Sequence, residues 1–308
     1  MHHKPTLLVL AAGMGSRYGS LKQIDAFGPN GETIIDYSVY DAIRAGFGKV
    51  LFVIRKSIEE EFKAIMLGKF SGQIEVDYVL QELDILPAGL QVPPGRVKPW
   101  GTAHAIWVAG TKISEPFAVI NGDDFYGFSS FEIISKFLTS NPDQEIGLVG
   151  YTLANTLSEF GAVSRGICEV APDGYLQSVT EQTHIAKENK GIVALDNGQE
   201  VALTGDEVVS MNMMGFPPAV LPFFEEYLTN FIKEQADSPD PKAECYLPRV
   251  VDALVQSGRA KVRVLSSPEK WFGVTYPEDK PIAVNTLRSL IDAGVYPKNL
   301  WNKNLQEA

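Results

Sequence analysis

The chain has 308 residues, 45% of them hydrophobic and 21% charged, with a formal net charge of −11. That length can bury a sizeable core, and no apolar run reaches the roughly 18 residues of a membrane span. The acidic balance argues against nucleic acid or an anionic membrane as partner, so a bound polyanion would need a few focused cations and backbone amides.

Met1–Pro5 leads directly into Thr6–Leu10, an apolar run too short for a secretory segment and suited to a strand buried on both faces. The two cysteines, Cys168 and Cys245, suggest neither a disulfide framework nor a zinc site, and a cytoplasmic location is expected. Ile34 to Ala45 has helical spacing and ends at Gly46. Val50 to Ile54 predicts a second strand, and Ser57 a cap on a charged helix running to Met66. Val76 to Leu80, Phe117 to Ile120 and Ile146 to Tyr151 predict further strands, with a helix over Ala103 to Ala109. Leu86 to Pro99, with four prolines and two glycines, predicts an inserted loop. This rhythm implies an α/β fold: a Rossmann-like, mostly parallel mixed sheet with helices on both faces.

Beyond Tyr151 the pattern is more strand-like, over Val163 to Val170, Leu176 to Val179 and Val208 to Phe216. Helices are predicted over Pro217 to Gln235 and Tyr246 to Ser257, then a strand over Val262 to Leu265 and a helix over Pro277 to Ala293. The chain reads as a single domain with two halves, about 1–150 and 151–308.

The most informative segment follows the first strand: Leu10-Ala11-Ala12-Gly13-Met14-Gly15-Ser16-Arg17-Tyr18-Gly19-Ser20-Leu21-Lys22. Ligands of open α/β sheets bind beyond the carboxyl ends of strands. Small residues there let backbone amides approach phosphate oxygens. Arg17 and Lys22 add a rigid fork and a mobile point charge. The segment lacks the Gly-Lys-Ser/Thr of a P-loop, and Tyr18 stands where a dinucleotide fingerprint needs glycine. Farther on, Asp123 ends a strand in Asn121-Gly122-Asp123-Asp124, as either a hard-oxygen ligand suited to Mg²⁺ or a turn aspartate.

Gly13-x-Gly15-x-Arg17 followed by Lys22 resembles the signature of the sugar-1-phosphate nucleotidyltransferases. Further matches follow in order over roughly residues 6–290. Gln81-Glu82 and Trp100 to Ala105 resemble the base-recognition region, Gly122-Asp123 the metal motif, and Phe160 to Val163 a sugar-contacting segment. Thr180-Glu181 and Met211 to Gly215 resemble the Glu and Asn that hold sugar hydroxyls, and Gly273-Val274-Thr275 the closing segment. Val79 to Gln81 and Gly101 to Ala105 are most similar to the N-acetylglucosamine-1-phosphate uridylyltransferases.

The resemblance implies the nucleotide-diphospho-sugar transferase fold and a reaction joining a nucleoside triphosphate to a sugar 1-phosphate. It implies Arg17 and Lys22 as catalytic cations, and Leu10, Ala11, Ala12, Gly13, Gly15, Gln81, Gly101 and Thr102 around the nucleotide. It further implies Gly161, Glu181 and Asn212 around the sugar, and Mg²⁺ held by Asp123 with Thr275 as the second ligand position. Glu244 and Tyr246 would line the sugar end. Glu278 and Asp279 read equally as acids at a helix N-terminus. His104 and His184 lack a ligand cluster and read as packed or surface histidines. A pyrimidine nucleotide is expected, UTP first and dTTP next, although a Gln amide can turn over to satisfy uracil or cytosine. The alternatives are a CTP-dependent cytidylyltransferase and a non-catalytic nucleotide-binding regulator.

Overall fold

The computed structural model describes residues 4–13, 26–140, 145–188, 191–196, 199–237, 240, 242–274 and 276–301. In chain order the first half holds β1 (Thr6–Leu10), α1 (Ile34–Arg44), β2 (Lys49–Ile54), α2 (Glu59–Phe62), β3 (Glu75–Leu80), α3 (Thr102–Ala109), β4 (Phe117–Asn121), β5 (Asp124–Phe125), α4 (Phe128–Ser140) and β6 (Ile146–Thr152). The second half holds β7 (Val163–Val170), β8 (Leu176–Glu188), β9 (Gly191–Asp196), β10 (Gln199–Leu203), β11 (Val208–Phe216), α5 (Leu221–Asp237), α6 (Leu247–Gln256), β12 (Val262–Ser266), β13 (Phe272–Gly273) and α7 (Asp279–Asp292).

The main sheet runs β10-β9-β8-β7-β11-β4-β1-β2-β3, with β6 also on β11 and β12 on β6. β4, β1, β2 and β3 are mutually parallel. The chain winds outward from β1 to β3 and returns to the other side of β1 as β4, which makes a topological switch point between β1 and β4. Along β1 the side chains alternate between two cores. Leu7 and Val9 pack with Ile35 and Val39 of α1 and Phe131 and Ile134 of α4. Leu8 packs with Ile106 of α3, Phe224 of α5 and Val250 of α6. Both faces of the sheet are therefore covered, as the continuous apolar run requires.

β11 joins the two halves. Met214 to Phe216 pair with β4, while Val209 and Ser210 pair with β7. Its register along β6 shifts between Ser210 and Met214. Asn212 sits in that bulge with φ of 63°, a left-handed conformation that asparagine tolerates better than most residues.

Several elements differ from the sequence reading. The predicted helix from Ser57 to Met66 is a 3-10 turn (Lys56–Ile58), the short α2 and a π turn (Lys63–Leu67). Ser57 provides no cap. Instead Glu59 anchors this segment, accepting from the Tyr78 hydroxyl at 2.8 Å and pairing with Lys56 at 2.5 Å and Lys63 at 2.7 Å. β8 runs well past Val179, along a largely exposed polar stretch with weak alternation. The α1 cap is a Thr33–Asp36 capping box, a pairing that typically contributes about 1 kcal/mol.

Candidate active site

β1 and β4 end side by side, with Leu10 opposite Asn121. The Gly122 amide donates to the Leu10 carbonyl at 2.9 Å, and a Cβ on Gly122 would stand only 3.3 Å from that oxygen. The start of the Gly-rich segment, Ala11 to Gly13, thus lies against the Asn121-to-Asp124 turn. Asp123 and Asp124 open onto a cavity of about 470 Å³. Its wall also includes Thr102 from α3, Arg165 from β7, Glu181 from β8, Asn212 from the bulge, Tyr246 before α6, and Trp271. Glu181, Asn212, Asp123 and Thr102, drawn from four separate motifs, therefore face one space. A larger cavity of about 860 Å³, between β3, α3 and α5, holds none of the predicted site residues.

Arg17, Lys22, Gly15 and Thr275 lie outside the described residues. Gly161 packs away from the cavity: a Cβ there would meet the Tyr276 hydroxyl at 2.6 Å, and that hydroxyl donates to the Ala162 carbonyl at 2.7 Å. Glu244 pairs with Lys98 at 2.5 Å, whereas Tyr246 lines the cavity. Asp279 accepts from the Ser158 hydroxyl and the Tyr276 amide, which braces the turn into α7. His184 is exposed.

Gln81 and the Trp100-to-Ala105 segment form a closed hydrogen-bond relay. His104 is fully buried, and its Nε2 lies 2.6 Å from the Ile85 carbonyl. A carbonyl only accepts, so Nε2 carries the proton and Nδ1 is an acceptor. Burial holds the ring neutral, pushing its pKa down to about 4. Gln81 Nε2, 3.1 Å from Nδ1 and 2.9 Å from the Gly101 carbonyl, therefore donates to both. Both amide protons are used, and the Gln81 Oε1 is left as an acceptor. The amide that could turn either way on sequence alone is fixed by its neighbours. Gly101 has φ of 96°, and a Cβ there would meet the Cys245 carbonyl at 2.6 Å, so only glycine fits.

At the turn after β4, Asn121 Nδ2 donates to Asp124 at 2.8 Å. Tyr126 Oη lies 3.3 Å from the same carboxylate and 2.9 Å from the Met211 carbonyl, and it accepts from the Asn121 amide at 3.0 Å. It ties the acidic turn to the β11 bulge. Burial, reinforced by the adjoining Asp123 charge, pushes the Asp124 carboxyl well above the ordinary carboxylate range. Adjacent carboxylates at a strand end are a donor set that a hard divalent cation suits. Gly273 pairs with Asp124 across β13 and β5, and a Cβ on it would meet Asp124 Oδ1 at 2.8 Å.

Sequence reasoning missed Arg165, Trp271 and Tyr126. Arg165 is 6% exposed, and its guanidinium lies 4.6 Å over the Trp271 ring. Burial lowers its pKa to about 10, opposed by Asp124 and Glu181, so it remains a cation.

A family model described as Nucleotidyl transferase matches residues 7–215, and the chain belongs to that family of enzymes. No curated protein matches the sequence. Among solved structures, the inositol-1-phosphate CTP transferase from T. maritima shares 15% identity, with 94% of this chain and 97% of that chain covered at a TM-score of 0.60. A UDP-glucose pyrophosphorylase complexed with UDP-glucose shares 18% identity, with 93% and 99% covered, also at 0.60. HddC from Yersinia pseudotuberculosis shares 15%, with 92% and 99% covered at 0.53. At these identities the likeness is one of fold, a mixed central sheet with helices on both faces. No helix among the described residues is long and apolar enough to cross a membrane.

Proposed function

We propose that the protein condenses a nucleoside triphosphate, UTP or dTTP by preference, with a sugar 1-phosphate, giving a nucleotide sugar and pyrophosphate. The observation that carries this reading is the shared cavity. The acidic turn after β4, which lies beside the end of β1, opens onto the same space as Glu181 and Asn212 from the other half. An oxygen of the sugar phosphate attacks the α-phosphorus, and the bond to the β-phosphate breaks. The nucleophile is already an anion, so the protein's task is to position two polyanions and stabilise charge. Arg17 and Lys22 would supply cations on the nucleotide side, and Ala11, Ala12 and Gly13 close backbone contact. Glu181 would accept from sugar hydroxyls, while the Asn212 amide can donate or accept. Asp123 would hold Mg²⁺, with Asp124 beside it and Thr275 as a further ligand. When bound, the ion would neutralise charge on the phosphates.

The base preference rests on the Gln81 relay. A fixed acceptor suits the N3–H of uracil or thymine and opposes the N3 lone pair of cytosine. Leaving one such group unpaired costs about 1–3 kcal/mol. Pyrophosphate release should be measured across UTP, dTTP, CTP, ATP and GTP with a panel of sugar 1-phosphates. Preference for CTP would favour the cytidylyltransferase reading, and no turnover with any pair would favour a nucleotide-binding regulator. In His104→Phe, Gln81 loses one of the two acceptors that fix its amide and keeps the Gly101 carbonyl, and the UTP-to-CTP ratio of kcat/KM should fall by up to roughly tenfold.

A further inference from the structure

Two side chains in the cavity wall carry donors that the protein itself leaves unsatisfied. A guanidinium has five N–H donors. In Arg165, Nε donates to the Thr156 hydroxyl at 3.1 Å, Nη1 to the Ser164 carbonyl at 2.7 Å, and Nη2 to the Thr156 carbonyl. Two N–H groups remain without an acceptor among the described residues, on a side chain 94% buried from solvent by its 6% exposure. The second is Trp271, 8% exposed, whose buried indole N–H also has no partner among the described residues. Both residues line the cavity, stacked one over the other.

Buried donors without acceptors are rare in folded proteins, and two stacked together in one wall call for a shared acceptor. The charge of Arg165, the one cation lining the cavity among the described residues, is already offset by Asp124 and Glu181, so it is the unsatisfied donors that narrow the ligand's nature. Several N–H groups in one wall call for an acceptor with several lone pairs, and an oxyanion supplies them in charge-assisted hydrogen bonds.

We infer that Arg165 and Trp271 form an oxyanion cradle for the acceptor substrate, the two free guanidinium N–H groups and the indole N–H binding anionic oxygens that the acceptor carries. This rests on reading the cavity as the acceptor site. The oxyanion has two sources of one chemistry: the phosphate at the anomeric carbon, or an acidic substituent elsewhere on the sugar. Thr156 and Ser164 fix the other three N–H groups, so the guanidinium is held in place before the ligand arrives. The cradle belongs to the second half of the chain, in addition to the cations of the Gly-rich segment.

The test is equilibrium binding of hexose 1-phosphates, hexuronic acids and the parent neutral hexoses to wild type, Arg165→Gln and Trp271→Phe. Trp271→Phe keeps an aromatic ring, though a smaller one, and removes the N–H, so it serves even if Arg165→Gln fails to fold. Arg165→Gln should weaken anion binding roughly 10- to 100-fold, Trp271→Phe less but in the same direction, and neutral hexoses should be unaffected by either. Losses confined to the 1-phosphates identify the anomeric phosphate, and losses confined to hexuronic acids identify an acidic substituent. Equal affinity of wild type and both variants for every anion overturns the inference, as does failure of wild type to bind any of them. Intact anion binding without pyrophosphate release would instead overturn the proposed reaction and leave the cradle standing.

Discussion

The Thr102 hydroxyl accepts the Leu247 amide at 2.7 Å, so the first residue of α3 caps the first turn of α6. The bond is one of three that clamp the segments together. The Cys245 amide donates to the Trp100 carbonyl at 2.8 Å, and the Ala103 amide to the Cys245 carbonyl at 3.0 Å. The Trp100-to-Ala103 segment and the Tyr246 side of the cavity are thereby one rigid unit. Thr102→Val keeps the shape but strands the Leu247 amide. It should cost about 1–2 kcal/mol in denaturant unfolding. A Thr102→Ser control should recover most of that, and equal losses in both would show that the methyl group matters instead.

Asp123→Ala should abolish turnover at any Mg²⁺ concentration, and chelator should silence the wild-type protein. The carboxylate follows β4 by two residues and lines the cavity, beside a second carboxylate whose ionisation its charge already opposes. Full activity of the variant, or wild-type turnover in excess chelator, would remove Asp123 from the metal role.

Lys22→Ala and Arg17→Ala should each lower kcat by roughly 10²–10³ while leaving thermal stability nearly unchanged. In a chain of net charge −11, few other groups can balance two polyanions. Near-normal kcat in either variant would displace that cation from the reaction.

Asn212 separates a backbone role from a side-chain role. With φ of 63°, Asn212→Ala should lose about 1 kcal/mol of stability, whereas Asn212→Gly should lose little or none. Both remove the amide, so both should raise KM for the sugar phosphate with KM for the nucleotide nearly unchanged, and Glu181→Ala should do the same. If Asn212→Gly restores a normal KM, the residue serves only the bulge.

Stability should respond to acid through two buried groups of opposite sign. His104 has its pKa pushed down to about 4 by burial, so the unfolded chain binds the extra proton. Its contribution is present above about pH 6.5 and is lost as pH falls toward 4, on the order of 3 kcal/mol in all. Asp41 is raised to about 6, chiefly by burial, although it accepts from Arg44 and Tyr296. There the folded state binds the extra proton, so stability is lost as pH rises from about 4 to 6. The two partly cancel in the same window. Chemical denaturation from pH 4 to 7 should therefore show a steeper acid loss in Asp41→Asn and a flatter one in His104→Phe. Identical slopes in all three proteins would refute the assignment.

The parts of this architecture that were legible in the sequence are those with a local signal. β1 is a continuous apolar run, and Asp123 and Asn212 sit in short motifs beside strands, so their places followed from neighbours in the chain. Helix α4 was missed although Phe131, Ile134 and Leu138 follow helical spacing. In the β9–β10 hairpin both strands are short and β10 is exposed, with little apolar alternation to betray it. Arg165 and Trp271 stand 106 positions apart, and they meet because β13 pairs with β5 beside the acidic turn. No local pattern encodes that contact. His104 read as either a packed or a surface histidine, and its effect on Gln81 depends on a carbonyl at Ile85 that the loop folds over it.

The bulge in β11 has a consequence for how this chain tolerates insertion and deletion. One strand supplies hydrogen bonds to β7 before the bulge and to β4 after it, against a single continuous partner in β6. Side chains alternate faces with a period of two, so gaining or losing one residue there would turn the remainder of the strand over. Met214 and Phe216 would leave the core they share with α5, and Gly215 would put its backbone where they had been. The segment can change its side chains one at a time, but its length is locked by neighbouring strands that read the same ruler from both edges.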